Sequence, residues 1–477
     1  MSSLRASASD THTISLNEHQ SRNKKFVYPA VNLSTEDTPY VEVQKDAKHV
    51  LILGAGVSGL MIAWMLLDKG YRVTIVAEHW AWNKDFAQSR ITSQIAGALW
   101  EYPPGGCGLT EIESPGSGWS NIDHYREWSL QSFEFFSKYT KVANDYEKSG
   151  HSFGLQLTKL HQFFWSDAID GPPSDGEVRN EELDKFQALQ AESSETLDKY
   201  GFELGIETCK GVEDIKAKFP NVNTTIGGED FQSSYSHVAP IINTDKATAY
   251  LMALVKAKGA SLETRKFDGK VKDFGKQLLE DHEAHLIVNA TGLGARELAD
   301  DPDVYPVRGA IKRIDNTRSG RFRHLNDAYL APAQRDSKNR PTKTIFIVPR
   351  NDDVLYVGSI IQPNNNVMNL TPDSPEVEVM WNRAIDFLPS LANANTFPGF
   401  PFAQGLRPFT RRNVKVRADE DTNFPLVHNY GHGGSGWTLG VGTARCAVLI
   451  VEKLLNHEAT AEEINLTLYG KRDKKSH

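Results

Sequence analysis

Short apolar runs bounded by glycine, each followed by a helical pattern, organise this chain. His49–Leu53 (HVLIL) reads as a buried strand that breaks at Gly54; a helical pattern then runs through Leu67, and Gly70 ends it before a second apolar strand, Arg72–Ala77. Runs without polar alternation belong to parallel strands covered on both faces. Between Ser233 and Glu263 the order is again strand turn, helix, strand, and His285–Gly292 (HLIVNATG) reads as a further parallel strand breaking at Gly292. A late helix from Trp437 to about Asn456 has Leu439, Val441, Val448, Val451 and Leu455 for burial against the sheet.

The turn after the first strand carries chemistry. Gly54, Gly56 and Gly59 stand in a G-x-G-x-x-G spacing inside a complete strand–helix–strand unit, the context that makes this pattern specific for a dinucleotide. Gly54 makes the tight turn, Gly56 admits a pyrophosphate to the backbone, and Gly59 lets helix and strand pack closely. The main chain of Ala55, Val57 and Ser58 completes this phosphate loop at a helix N-terminus, whose partial positive charge favours anions. Glu78 ends the second strand, where an acid would bond the adenosine ribose. A motif this near the start of a long chain favours FAD over NAD. The next stretch, SRITSQIAGALWEYPPGGCG, offers the hydroxyls of Thr92 and Ser93 and the bare backbone of Gly97 to a flat ring.

Composition narrows the partners. At 477 residues the chain exceeds one ordinary core, so two domains are expected. Its net charge of −8 gives no basic field for nucleic acid or anionic lipid. No run reaches the roughly 20 apolar residues of a membrane span. Three scattered cysteines make neither a disulfide framework nor a zinc site, and no cluster has metal spacing. The N-terminus lacks the apolar core of a secretory signal, and the chain does not end in Ser-Lys-Leu. The cytoplasm is the expected compartment, and an oligomer is allowed.

Four blocks, in order, resemble the D-amino-acid oxidase family of FAD-dependent oxidoreductases. They are the glycine unit; LIVNATGLGARELADDPDVYPVRGAI (Leu286–Ile311); GLRPFTRRNVKV (Gly405–Val416); and HNYGHGGSGWT (His428–Thr438), which carries four of the six glycines found between His428 and Gly442. The resemblance implies a Rossmann-type FAD domain from residues 47–150, 236–305 and 405–477, interleaved with a mixed-sheet α+β substrate domain from 151–235 and 306–404. The first 46 residues form an extension that wraps the surface or stays mobile. Thr291 and Gly292 would form the second contact with FAD. Gly434, Ser435, Gly436, Trp437 and Thr438 would present main chain to the isoalloxazine ring, with the late helix starting at its pyrimidine end.

The implied chemistry is hydride transfer from the substrate Cα to flavin N5, the flavin then being reoxidised by molecular oxygen to give hydrogen peroxide. Orientation does most of the work. Arg407 falls on the position of the arginine that clamps a substrate carboxylate bidentately; with Gly434 and Phe346 it completes the expected catalytic set. The chain departs from the family at Phe346, in TIFIVPR, where a tyrosine is usual, and the lid stretch QRDSKNRPTKT has no tyrosine either. These losses, with the insertion, favour a tailoring oxidase of specialised metabolism, acting on an amine, an alcohol or a sugar without a free amino-acid end, a small molecule that is allowed to bear a carboxylate. The rivals are a conventional D-amino-acid or D-aspartate oxidase and a flavin-binding protein without turnover, against which the retained Arg407 counts. His432 reads as bonding nearby backbone rather than acting as a base. Cys107 reads as packing rather than a covalent flavin link, His428 and Tyr430 as structural, the tryptophans as core or interface, and RRNVKVR as a solvated strand edge. DGPPSDGEVRNEELDKFQALQAESSETLDKY looks like an insertion.

Overall fold

A computed structural model describes residues 12–20, 27–81, 91–105, 112, 118–146, 153–172, 181–318, 322–335, 341–350 and 353–471. Cys107 and Trp82, and with them the proposed flavin link, lie outside the described residues.

Two sheets carry the fold. In the first, Ser261–Thr264, Arg72–Ala77, His49–Leu53, Leu286–Asn289 and Leu426–Tyr430 run parallel in that spatial order, and Lys415–Ala418 closes the edge antiparallel. Alternate residues of the first strand show why it reads as a continuous apolar run. Val50 and Ile52 face one core with the helices Val57–Asp68, Ile122–Tyr146, Thr244–Ala257 and Gly436–Leu455. Leu51 and Leu53 face the other, where Val271–Asp281 covers the sheet. Both faces are buried, so neither set of side chains is polar.

The second sheet has nine strands, mostly antiparallel: Gln362–Pro363, Val304–Asp315, Val354–Gly358, Ile345–Pro349, Ala328–Ala331, Leu155–Phe164, Ser233–Ile242 and Glu207–Lys210 in spatial order, with Phe402–Thr410 also paired to Val304–Asp315. Chain order confirms the interleaving. The strand carrying Arg407 belongs to this sheet and runs to Thr410.

Two sequence expectations change. The N-terminal segment is neither a surface wrap nor loose within its described part. Thr13–Leu16 pairs with Val31–Ser34, and Ile14, Leu16, Tyr28 and Leu33 are buried in the core of the first sheet. Asp68 ties it down: its carboxylate accepts from the backbone N–H groups of Ser34 and Tyr40 and pairs with Lys258 at 2.7 Å, both side chains fully buried. RRNVKVR is not a solvated edge either. Arg417 and Lys415 pair with Glu420 and Asp301, and their cations, with that of Arg412, lie near the Trp119 ring. The insertion is ordered in part, as the helix Glu181–Tyr200.

Candidate active site

The carboxyl ends of the parallel strands open on a cavity of about 1060 Å³ that reaches across to the second sheet. Gly54 sits there with φ +106°, and a Cβ on it would meet Ala290 O at 2.5 Å; only glycine fits. A Cβ on Gly59 would collide with Gly54 O, so this glycine sets the distance between helix and strand without itself facing the cavity. Ala55, Gly56, Val57 and Ser58 line it. Gly292, φ +58°, opens a short turn over the next strand end, with Thr291 beside it.

Two helices aim their N-termini at this space. Val57–Asp68 and Gly436–Leu455 both lack an acidic residue in the first turn and a capping contact from the residue that precedes them. Neither helix end is neutralised by an acidic side chain, so both dipoles favour an anion, although the Val57 N–H itself is taken by Ser93 Oγ. Gly433, Gly434, Ser435, Gly436, Trp437 and Thr438 line the wall at the second helix. The side chains of Trp437 and Thr438 turn instead to the loop above, donating to Ser93 O at 2.9 Å and Leu99 O at 3.5 Å.

The hydroxyls assigned to phosphate or ribose have other work. Ser93 Oγ accepts the Val57 N–H at 3.0 Å, capping the first helix from across the cleft, and Thr92 Oγ1 donates to Leu406 O at 3.0 Å. Sequence reading missed this because the partners are remote. It also missed Asn429, which is fully buried in the cavity wall with neither its Oδ1 nor its Nδ2 partnered. A buried amide left unpaired costs about 1–3 kcal/mol, and a polar ligand at the strand ends would satisfy it. At the far end Glu78 is half-exposed beside His79 and Lys266, at 3.7 and 3.9 Å, with Arg265 and Phe267 completing that wall. The glycine cradle, two helix ends without acidic residues and an orphaned amide fit an anionic dinucleotide.

The second sheet supplies the opposite wall. Leu330, Phe346, Gly358 and Ile311 stand in register on four neighbouring strands, making an apolar floor. Phe346 presses its ring on Gly97 in the cavity wall, where a Cβ would meet Cε1 at 2.9 Å. Arg407 is half-buried. Its Nη1 donates to Ile360 O at 3.2 Å and its Nη2 to Ser359 Oγ at 2.7 Å, and its guanidinium lies flat over Gly309, whose absent Cβ would meet Cζ at 2.5 Å.

His432 also lines the cavity, but it is buried and bonds Thr443 Oγ1 at 3.0 Å rather than backbone. Burial pushes its pKa down to about 4, leaving it neutral near pH 7. His428 bonds Asp419, and Tyr430 donates to Asp301. Among the described residues no cluster could hold a metal ion, and no helix is long and apolar enough to cross a membrane.

Comparison with known proteins agrees with this geometry. The family model described as FAD dependent oxidoreductase matches residues 49–449. A D-amino-acid oxidase of Rubrobacter xylanophilus is 26% identical over 412 residues, covering 86% of this chain and 97% of that protein. One from Schizosaccharomyces pombe is 24% identical over 416 residues, covering 84% and 96%. Among solved structures, glycine oxidase from Bacillus cereus aligns with a TM-score of 0.59 at 15% identity, covering 89% of this chain and 99% of that one, which speaks to the fold. A family match that begins at the first strand of the parallel sheet and ends inside the last long helix leads to one conclusion: this chain belongs to the FAD dependent oxidoreductase family, and FAD is its cofactor.

Proposed function

We propose that this protein oxidises the carbon–nitrogen bond of a carboxylate-bearing amine, a D-amino acid or a bulkier analogue, with molecular oxygen as the final acceptor. One observation carries the reading. Arg407 faces the cavity, braced from behind by Ile360 O and Ser359 Oγ. Five N–H donors in a rigid fork exceed what two loop acceptors use, and a carboxylate matches the remainder. The names of the relatives, D-amino-acid oxidase and glycine oxidase, support both the amine and the oxygen.

FAD, when bound, supplies a two-electron acceptor. The chain would hold it with the Gly54–Ser58 turn at the pyrophosphate, Glu78 at the ribose, Thr291 and Gly292 at the second strand end, and Gly434–Thr438 at the ring. Arg407 would fix the substrate carboxylate and so aim the Cα–H bond. Phe346, Leu330 and Ile311 would exclude water from the reacting carbon. His432, tied to Thr443 and neutral, takes no proton from the substrate; the amine enters in its neutral form. The apolar floor favours a second reading, a tailoring oxidase for a larger carboxylated metabolite, which uses the same clamp.

Anaerobic titration separates the classes. Bleaching of the flavin spectrum by D-amino acids or other carboxylated amines supports the proposal. Bleaching only by amines, alcohols or sugars without a carboxylate contradicts it.

A further inference from the structure

Phe346 meets a loop that also reaches the start of the late helix, and one buried cation holds that loop from behind. In the stretch Gln94–Leu99, Gly97 lies against the Phe346 ring and Leu99 O accepts from Thr438. Arg350 follows Ile345–Pro349, the strand that carries Phe346, and is 2% exposed. Its Cζ lies 4.0 Å from the centroid of the Tyr356 ring on the neighbouring strand. From this seat Nη1 donates to Ile242 O at 2.9 Å and Thr244 Oγ1 at 2.6 Å, and Nη2 donates to Ala96 O at 2.5 Å.

Three carbonyls of the loop are gripped this way. Besides Arg350 on Ala96 O, Thr244 Oγ1 donates to Gln94 O at 2.6 Å and the Ile242 N–H to Ala98 O at 3.0 Å. Ile95–Leu99 line the cavity, whereas Ile242, Thr244 and Arg350 do not. The C=O and N–H of a trans peptide point in opposite directions. Holding Ala96 O and Ala98 O behind the wall therefore turns the N–H groups of Gly97 and Leu99 towards the cavity. Among the described residues no backbone carbonyl accepts either N–H. Ala98, between them, has φ +46°, a conformation that residues with a side chain keep only where their surroundings over-determine it.

We propose that Arg350 is a positioning residue for the flavin: by holding Ala96 O, with Thr244 on Gln94 O, it keeps N–H donors of the loop aimed at the ring. Fixed donors of this kind favour the electron density that the ring gains on reduction, and so raise its potential. The proposal rests on FAD as the cofactor and not on the reading of Arg407.

The test is the midpoint potential of bound FAD, titrated in the holoenzyme without substrate against a dye of known potential. Arg350→Met and Thr244→Val release Ala96 O and Gln94 O from separate elements. Each should shift the reduction equilibrium at least ten-fold towards oxidised flavin, about 30 mV lower for a two-electron couple. Arg350→Lys keeps a cation with donors and should recover part of the shift, which separates a lost hydrogen bond from general loosening. Arg350→Met at the parent potential overturns the proposal, whatever its melting temperature, because a purely structural role moves stability alone. Should that variant not hold FAD, Thr244→Val, which leaves the buried cation in place, decides in the same way. No substrate enters the test, so either outcome leaves the reading of Arg407 standing.

Discussion

Gly309 and Arg407 form a unit that neither residue explains alone. Nothing in VYPVRGAI marks its glycine as the seat of a guanidinium donated by another strand. Gly309→Ala should therefore act as an active-site substitution. The new methyl group displaces Arg407, and kcat/KM for a carboxylated substrate should fall by roughly the 2–5 kcal/mol typical of breaking a buried hydrogen-bonded charge pair, with the flavin spectrum intact. Steady-state kinetics on the purified variant check this, and a kcat/KM within two-fold of the parent would contradict it.

Buried histidines set a pH dependence at the same scale. His432 and His237 are both held near 4 by desolvation, below the ordinary value of 6.5. The unfolded chain therefore binds more protons than the native one between those values, and stability rises with pH across that window. It is fully present above about 6.5 and is lost as pH falls towards 4, on the order of 3 kcal/mol for each residue. Urea midpoints of the holoenzyme should be flat from pH 8 to 7 and drop steadily from 6.5 to 5; a midpoint unchanged at pH 5 would refute this assignment. The sequence shows His432 in its glycine loop but not its neutrality, which depends on burial.

Among the elements, the last long helix couples cofactor site and core. It begins at the glycine loop and crosses Ile122–Tyr146 so closely that a Cβ on Gly442 would meet Trp128 O at 2.5 Å. Gly442→Ala should push the helices apart, cost about 1–3 kcal/mol in overpacking strain and weaken FAD retention, since the N-terminus of this helix lines the ring site. Calorimetry together with the dissociation constant for FAD would measure both; a variant equal to the parent in both would contradict the coupling. The elements themselves were largely legible in the sequence. The strands His49–Leu53 and Arg72–Ala77 and the helix now bounded at Gly436–Leu455 stand where apolar period and glycine punctuation put them. What periodicity does not encode is remote partnership. Ser93 caps a helix 36 residues earlier, and Lys185 reaches Glu101 across 84 residues.

The whole molecule is two sheets with a cavity between them, and the N-terminal segment packs into the core with the helices that cover the first sheet. In the sequence that segment reads as an extension that wraps the surface or stays mobile, yet Leu16 and Leu33 are fully buried and Asp68 spends its buried carboxylate on holding it. Deleting residues 1–46 should expose this apolar face and leave Asp68 and Lys258 with half their partners, giving insoluble or markedly less stable protein. A truncated chain with the parent melting temperature would show that the segment is ornamental.

The central claim is a carboxylate gripped by Arg407 beside the flavin. Stopped-flow reduction under anaerobic conditions tests it, comparing the best carboxylated amine with the same molecule lacking its carboxylate, in the parent and in Arg407→Ala. The account predicts reduction at least a hundred-fold faster with the carboxylate in the parent, and no such advantage in the variant. Equal rates for the two molecules in the parent, or an advantage that persists without Arg407, would contradict it.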